Sequence, residues 1–395
     1  MTASLDLLLL LSLATVVAAA LVGRDRPGGW VMLGLYCAQL VVLFALDPAA
    51  ESHVRLELTL LGEALTWRFD GLSWFFAMVT LGAAALVTWF AAGAWSARLR
   101  EQGISTRGIH LALALNVLAM LLLLGAGDLL SLFIGWELVS WAGLLLMIPG
   151  GRQAVQAGIR YITYAIAGGM AVLAALVLAF VWTGSWQLAD LVTAVPDLSP
   201  GRMLTLVLLF FAGFSVKMGV LPFHLWQAPA YAFSPGPAAA FLGAISSRMG
   251  LYAIALVVIK LVGVARLSGL ELVPGFIDAR GLLAWIAAFT IILPTFTALR
   301  QNDARLLLAW HGIGQGGYML LGLLLSDPMG SAGGLLHVFN HATYQAALFM
   351  SVFAVVYRTG TSDLNKLGGL VVRMPLSFLV MLFGIIGLAG LPPMN

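Results

Sequence analysis

The sequence predicts an all-α polytopic membrane protein, and three observations carry that prediction. The chain of 395 residues is 61% hydrophobic and only 9% charged, with a mean hydropathy of +1.00, which leaves too little polar surface for a water-soluble domain. Apolar runs of about 18 residues or more recur along its whole length, each long enough to cross a hydrocarbon core. These runs lack the polar–apolar alternation of membrane-barrel strands, so helices are expected throughout.

Twelve spans are expected, at about 5–22, 30–46, 72–95, 109–126, 129–149, 159–184, 203–221, 238–262, 281–299, 304–325, 331–357 and 375–395. The first carries Ala18-Ala19-Ala20 like a secretory leader, but Asp6 stands where a basic n-region belongs, so a retained helix is expected. Cys37 is the sole cysteine, which excludes a disulfide framework and a cysteine metal cluster. The pI near 9.2 is no nucleic-acid signal, because charges this sparse sit in loops.

Loop charges predict the orientation. With the N-terminus outside, the inner loops hold Arg24, Arg26, Arg98, Arg100, Arg107, Arg152, Arg160, Arg300, Arg305, Arg358, Lys366 and Arg373, whereas the outer ones hold only Arg55, Arg68, Arg202, Arg266 and Arg280. Excess Lys and Arg mark the cytoplasmic side, so the N-terminus is expected outside. Acids run the other way, with Asp25, Glu101, Asp303 and Asp363 alone on the inside.

Two ionisable residues then stand out in apolar surroundings: Glu137 in SLFIGWELVSWAGLLLM and Lys217 in VLLFFAGFSVKMGVLPFHLW, each expected near the bilayer midplane. A charge there costs about 2.5–3.5 kcal/mol on insertion scales, so such residues usually line ion or proton paths. Brought together, the carboxylate keeps the lysine protonated; apart, desolvation releases its proton. The bland alternative is a static buried ion pair that locks helix packing.

The seventh and twelfth spans share a feature. KMGVLPFH around Pro222 and GLAGLPPMN around Pro392 both place Gly and Leu-Pro inside an apolar helix. Such breaks survive in lipid only where protein or water re-satisfies the backbone. Running in opposite directions, they suggest an inverted repeat with its site at the breaks. The twelfth span is incomplete at Asn395, so the chain is expected to be a fragment. The uncharged segment from Pro222 to Pro237 is expected to be ordered re-entrant structure.

A polar constellation accompanies the pair. Arg248 in AISSRMGLYAI stays protonated in any protein setting, so it sets a field rather than passing a proton; a structural salt bridge is the alternative. His337, His341 and Gln345 recur at i+4 on span eleven, and His311, Gln315 and Tyr318 form a stripe on span ten. They are candidates for a water file, for interhelical glue, or for shared metal ligation, although no further carboxylate or cysteine converges. His224 follows the first break as an inner-side access group. Asp128 reads as a helix cap.

The chain resembles the antiporter-like, proton-pumping membrane proteins shared by respiratory complex I, membrane-bound hydrogenases and Mrp-type multisubunit Na+/H+ antiporters. The matching stretches are Arg68–Val79, Gly127–Met147, Lys217–Ala253, Asn302–Gly322, His337–Met350 and Thr359–Leu370. The resemblance implies fourteen helices built on two inverted five-helix repeats, with Glu137 and Lys217 as the glutamate–lysine pair of the first half-channel. On this view 1–108 holds spans one to three, 109–262 the first repeat and 263–395 the start of the second. Three positions depart from the family pattern: Arg248 where lysine or histidine is usual, Gln345 where lysine is common, and His311 where a small hydroxyl residue is usual. A relay lysine or glutamate is expected past Asn395.

The resulting expectation is a proton-translocating subunit of a multisubunit respiratory or antiporter complex in the bacterial inner membrane, with Na+ exchange left open. A non-pumping scaffold is the alternative; a stand-alone solute carrier rests only on a weak signature in the loop Gly23–Gly29. No nucleotide, flavin or iron–sulfur motif is present. No cofactor, resident metal or catalytic site of its own is therefore expected, and redox chemistry belongs to peripheral partners beside other membrane subunits.

Overall fold

The structure, a computed structural model, describes residues 4–22, 26–55, 58–60, 62–93 and 95–392. Helices occupy the apolar segments read from the sequence: α1 Leu5–Val22, α2 Arg26–Phe44, α3 Gly71–Ala92, a short α4 Trp95–Glu101, α5 Thr106–Leu124, α6 Leu129–Met147, α7 Arg152–Thr183, a short α8 Leu188–Ala194 and α9 Pro200–Met218. There follow α10 Gln227–Phe233, α11 Gly236–Phe241, α12 Arg248–Ala255, α13 Val264–Leu267, α14 Ala279–Leu299, α15 Ala304–Leu324, α16 Pro328–Thr359, α17 Leu370–Arg373 and α18 Pro375–Leu388. A π-helical turn, Leu242–Ser246, joins α11 to α12 and a second, Leu256–Val262, extends α12, making one continuous rod over Gly236–Val262.

Among the described residues, seven helices are long and apolar enough to cross a membrane: Gly71–Ala92, Thr106–Leu124, Leu129–Gly150, Arg152–Thr183, Pro200–Met218, Gly236–Val262 and Ala279–Leu299. Helices α15 and α16 are equally long, but buried histidines and glutamines dilute their apolar character. The twelfth segment ends sooner than expected, at Leu388, where Gly390 at φ +66° turns the backbone left-handed. Residues 393–395 of that break lie outside the described residues, as do Arg24 and Asp25 of the first loop. Among the described residues strands occur only as short pairs in loops, such as Leu58–Leu60 with Glu63–Leu65, which the sequence had not suggested.

Helix starts follow local chemistry. Asp70, Asp128, Asp278, Asp303 and Asp327 each accept a backbone N–H from the first turn that follows, satisfying donors a helix leaves orphaned. Asp128 is fully buried and also takes the Thr66 N–H at 2.6 Å, tying a loop to its cap. Large apolar side chains such as Leu10, Ile159, Met170 and Val181 point outward, while the polar residues lie within. The hydrophobic effect does not hold helices together in lipid, so close contact does. Gly135 of α6 lies against the Leu123 backbone of α5, and Gly317 of α15 against the Ala287 carbonyl of α14.

The loop face carries one prediction. Asp303 accepts from Arg305 N at 2.8 Å, pairs with its guanidinium at 3.0 Å and takes the Ser362 hydroxyl. Burial pushes the Asp303 carboxyl up, but these partners outweigh it and hold the group below its ordinary value. A depressed carboxyl stabilises above its unfolded pKa of about 3.9 and loses that contribution as pH falls through the folded value. Asp303→Ala should therefore cost about 1 kcal/mol at neutral pH and nothing well below pH 4. Thermal melts of the solubilised full-length protein at both pH values check this.

A buried lysine and a histidine cluster as the candidate functional site

The first cluster forms where α9 stops. Gly219 at φ +73° caps the helix, returning its N–H to Ser215 O at 2.9 Å, and Pro222 follows. Lys217 is thus the next-to-last residue of its helix, not flanked by helix on both sides as the apolar pattern had suggested. The opened backbone finds protein partners. Trp226 Nε1 donates to Val216 O at 2.8 Å, and Leu221 N donates to Thr290 Oγ1 of α14 at 3.1 Å. The segment from Pro222 to Pro237 then folds back as α10, with Ala228, Ala230 and Tyr231 buried. A helix break in lipid requires this compensation.

Lys217 is 3% exposed. Its Nζ donates to Ser140 Oγ at 2.8 Å and to Tyr161 OH at 3.2 Å, and lies 5.1 Å from the Trp136 ring centre. Glu137 occupies the middle of α6, one turn before Ser140, yet makes no ion pair with Lys217 within 4 Å. Its half-buried carboxylate rests against Gly169 of α7, and Oε1 has no hydrogen-bond partner. The pair expected from sequence is therefore brought into one cluster but held apart, with two neutral hydroxyls in the lysine's grasp. Ser140 is detectable as i+3 from Glu137; Tyr161, one of two tyrosines on α7, carried no comparable signal.

The second cluster lies between α12, α15 and α16. Gln315 is its hub: Oε1 accepts from His337 Nε2 at 2.6 Å and from Tyr344 OH at 3.2 Å, while Nε2 donates to His311 Nε2 at 3.0 Å. Arg248 Nη2 donates to His341 Nε2 at 3.0 Å and to Gly312 O at 3.1 Å. Because arginine only donates, His341 must accept there. Gln345 instead donates to Leu308 O at 2.8 Å, a backbone contact rather than a link in the line. Tyr318 is 51% exposed and meets the cluster only edge-on to the His337 ring at 6.3 Å, so Tyr344 takes its place on Gln315. A tyrosine three residues past His341 was visible as the same helical face.

Among the described residues Arg248 makes no salt bridge, contrary to the structural alternative. His224 sits in the break, half-buried against the Trp310 ring at 5.8 Å, and touches neither cluster. Among the described residues no group of three or more His, Cys, Asp or Glu could hold a metal ion.

The family described as NADH:quinone oxidoreductase/Mrp antiporter, TM matches residues 126–395. The chain is 31% identical over 284 residues to NADH-quinone oxidoreductase subunit N of Desulforudis audaxviator, covering 71% of this chain and 55% of that protein. It is 29% identical over 343 residues to hydrogenase-4 component B of Escherichia coli, covering 84% and 49%. The Mrp complex from Dietzia sp. contains a chain that superposes with a TM-score of 0.86 at 26% identity, covering 98% of this chain and 42% of that one. The chain thus spans about half the length of the curated relatives it matches. Match, fold and order of elements agree: this is an integral membrane protein that belongs to the antiporter-like membrane subunit family of complex I, hydrogenases and Mrp antiporters.

Proposed function

We propose that the chain translocates protons within a multisubunit membrane complex, with Lys217 as the carrier and Glu137 as the group that switches it. One observation supports this above the rest: a buried lysine is held by neutral hydroxyls while an unpartnered carboxylate, Glu137, waits one helical turn from Ser140. When Glu137 and Lys217 approach, the ammonium is stabilised; when they separate, a desolvated ammonium gives up its proton. His311, Gln315, His337, Tyr344 and His341 supply hydrogen-bonding groups for a second half-path, and His224 the access group at the break. Residues 109–262 form the first repeat and 263–395 the start of the second, in a bacterial inner membrane with the N-terminus outside.

The second reading, a non-pumping scaffold, gains from the non-titrating Arg248 and from Gln345 bonded to backbone. Purification of the tagged full-length gene product in mild detergent, with mass spectrometry of what comes with it, separates the settings. Flavin- or iron–sulfur-bearing subunits make it a redox-driven module; small membrane subunits alone make it part of a Na+/H+ antiporter. Proton uptake by everted vesicles that survives loss of Lys217 leaves the scaffold reading.

A further inference from the structure

Asn116 of α5 is fully buried, and among the described residues neither its Oδ1 nor its Nδ2 has a hydrogen-bond partner. An amide left wholly unpaired away from bulk water is costly, and a native one ordinarily finds protein or ordered water. Across Gly143 of α6 it faces Tyr161 of α7. The three atoms that an added Gly143 methyl would meet first are Tyr161 OH at 3.1 Å, Asn116 Nδ2 at 3.7 Å and the Tyr161 ring carbon that bears the hydroxyl. No backbone is among them, unlike at Gly135, whose missing side chain lets α6 touch the α5 chain itself. Gly143 therefore leaves room beside polar groups rather than drawing two helices together.

The two hydroxyls around Lys217 are not equivalent. A group relays a proton only if it accepts on one side and donates on the other. Ser140 Oγ accepts from Lys217 and donates to Trp136 O at 3.0 Å, a carbonyl with no proton to hand on. A proton sent that way stops. Tyr161 OH also accepts from Lys217, which leaves its single hydrogen for a further acceptor. Gly143 places the unpaired Asn116 amide next to it.

We propose that the space beside Gly143 is a buried water site, held by Asn116 and Tyr161, through which protons reach and leave Lys217. A buried water needs about two to four polar partners; the Asn116 oxygen, the Asn116 nitrogen and the Tyr161 hydroxyl supply them. In loading, an excess proton on that water bonds to the Tyr161 oxygen as the tyrosine O–H bond breaks and its proton joins the lone pair of neutral Lys217. Unloading runs the same steps backwards, from the ammonium to the tyrosine oxygen and from the tyrosine O–H to the water. Tyr161 ends neutral in both directions. The site rests on the reading that Lys217 carries the proton, and it makes Asn116 a positioning residue that seats the water without exchanging protons itself.

Proton uptake by everted vesicles holding the full-length protein in its complex tests this. Tyr161→Phe should cut uptake about a hundredfold or more. Asn116→Leu, close in size but without polar side-chain atoms, should cut it about tenfold, the worth of one hydrogen bond. It should also raise the ratio of rates in light and heavy water, because proton delivery then limits. Asn116→Ser restores a hydroxyl to the water and should transport faster than Asn116→Leu. A packing role for Asn116 would lower assembly or melting temperature and leave the isotope ratio unmoved; that result overturns the inference, as does wild-type uptake by an assembled Asn116→Leu complex. Should Asn116→Leu fail to assemble, Gly143→Ala decides, since it fills the space and alters no polar group; wild-type uptake there overturns the inference. Lys217→Met separates the two failures. Uptake that survives it removes the carrier reading, whereas uptake lost there but intact in Tyr161→Phe and Asn116→Leu removes this site alone.

Discussion

Replacing Lys217 with methionine should abolish proton uptake by everted vesicles while leaving the protein assembled in its complex. Methionine keeps an unbranched side chain of similar length, so it preserves packing against Trp136 and Tyr161 and removes only the proton carrier. A positioned proton carrier contributes typically about 10²–10⁴-fold, so the loss should reach at least about a hundredfold. Glu137→Gln should match it, because the amide retains size and hydrogen bonding but cannot hold the ammonium by charge. Ser140→Ala should cost no more than about tenfold, because Tyr161 still accepts from the lysine and the hydrogen bond lost is then worth about 1.5 kcal/mol, the low end for a charged group. A graded series, severe for Lys217 and Glu137 and mild for Ser140, is what a switched carrier requires. A static packing role would give the reverse pattern, with Lys217→Met tolerated and transport intact. Dye-quenching measurements on vesicles, with yield of the co-purified complex as the assembly control, separate the two.

The helical architecture was legible because bilayer thickness imposes a length that composition cannot disguise, and helices fill the apolar segments. The break at Pro222 was legible too, since Gly219 and a proline without an N–H leave the ladder no means to continue. The loop hairpins escaped notice because two- and three-residue strands carry no period. Within the site, Glu137, Lys217 and the histidines were legible as polar anomalies in apolar surroundings. Their geometry was not. Sequence places Glu137 and Lys217 in one bundle, but whether they touch depends on Ser140 and Tyr161, which offer nearer oxygens. Likewise the stripe through Tyr318 follows ideal helical spacing, whereas that ring stays half exposed beside His337 and it is Tyr344 of α16 that reaches Gln315. Spacing along one helix shows which residues share a face; it says nothing of which face the neighbouring helix covers.

Adding one methyl group at Gly250 should impair both stability and transport, although no charged or titrating group is altered. Ideal Cβ placement at Gly250 falls 2.6 Å from Met218 N and 2.7 Å from Phe214 O. Both are backbone atoms, so no rotamer change relieves the clash, and α12 must move away from the last turn of α9. That turn carries Lys217, whose hydrogen bonds to Ser140 and Tyr161 lie on the opposite helices α6 and α7. Overpacking of this kind costs about 1–3 kcal/mol, a drop of several degrees in the melting temperature of a chain this size. Moving Lys217 even about 1 Å can cost a hundredfold in a reaction that depends on placement. Gly34→Ala on α2 is the matched control: no atom lies within 4 Å of its added carbon, and alanine favours the helix, so stability and transport should hold. Thermal aggregation and vesicle transport measured on the same two preparations make the comparison. Equal behaviour of Gly250→Ala and Gly34→Ala would show that the contact between α12 and α9 does not set the position of the lysine.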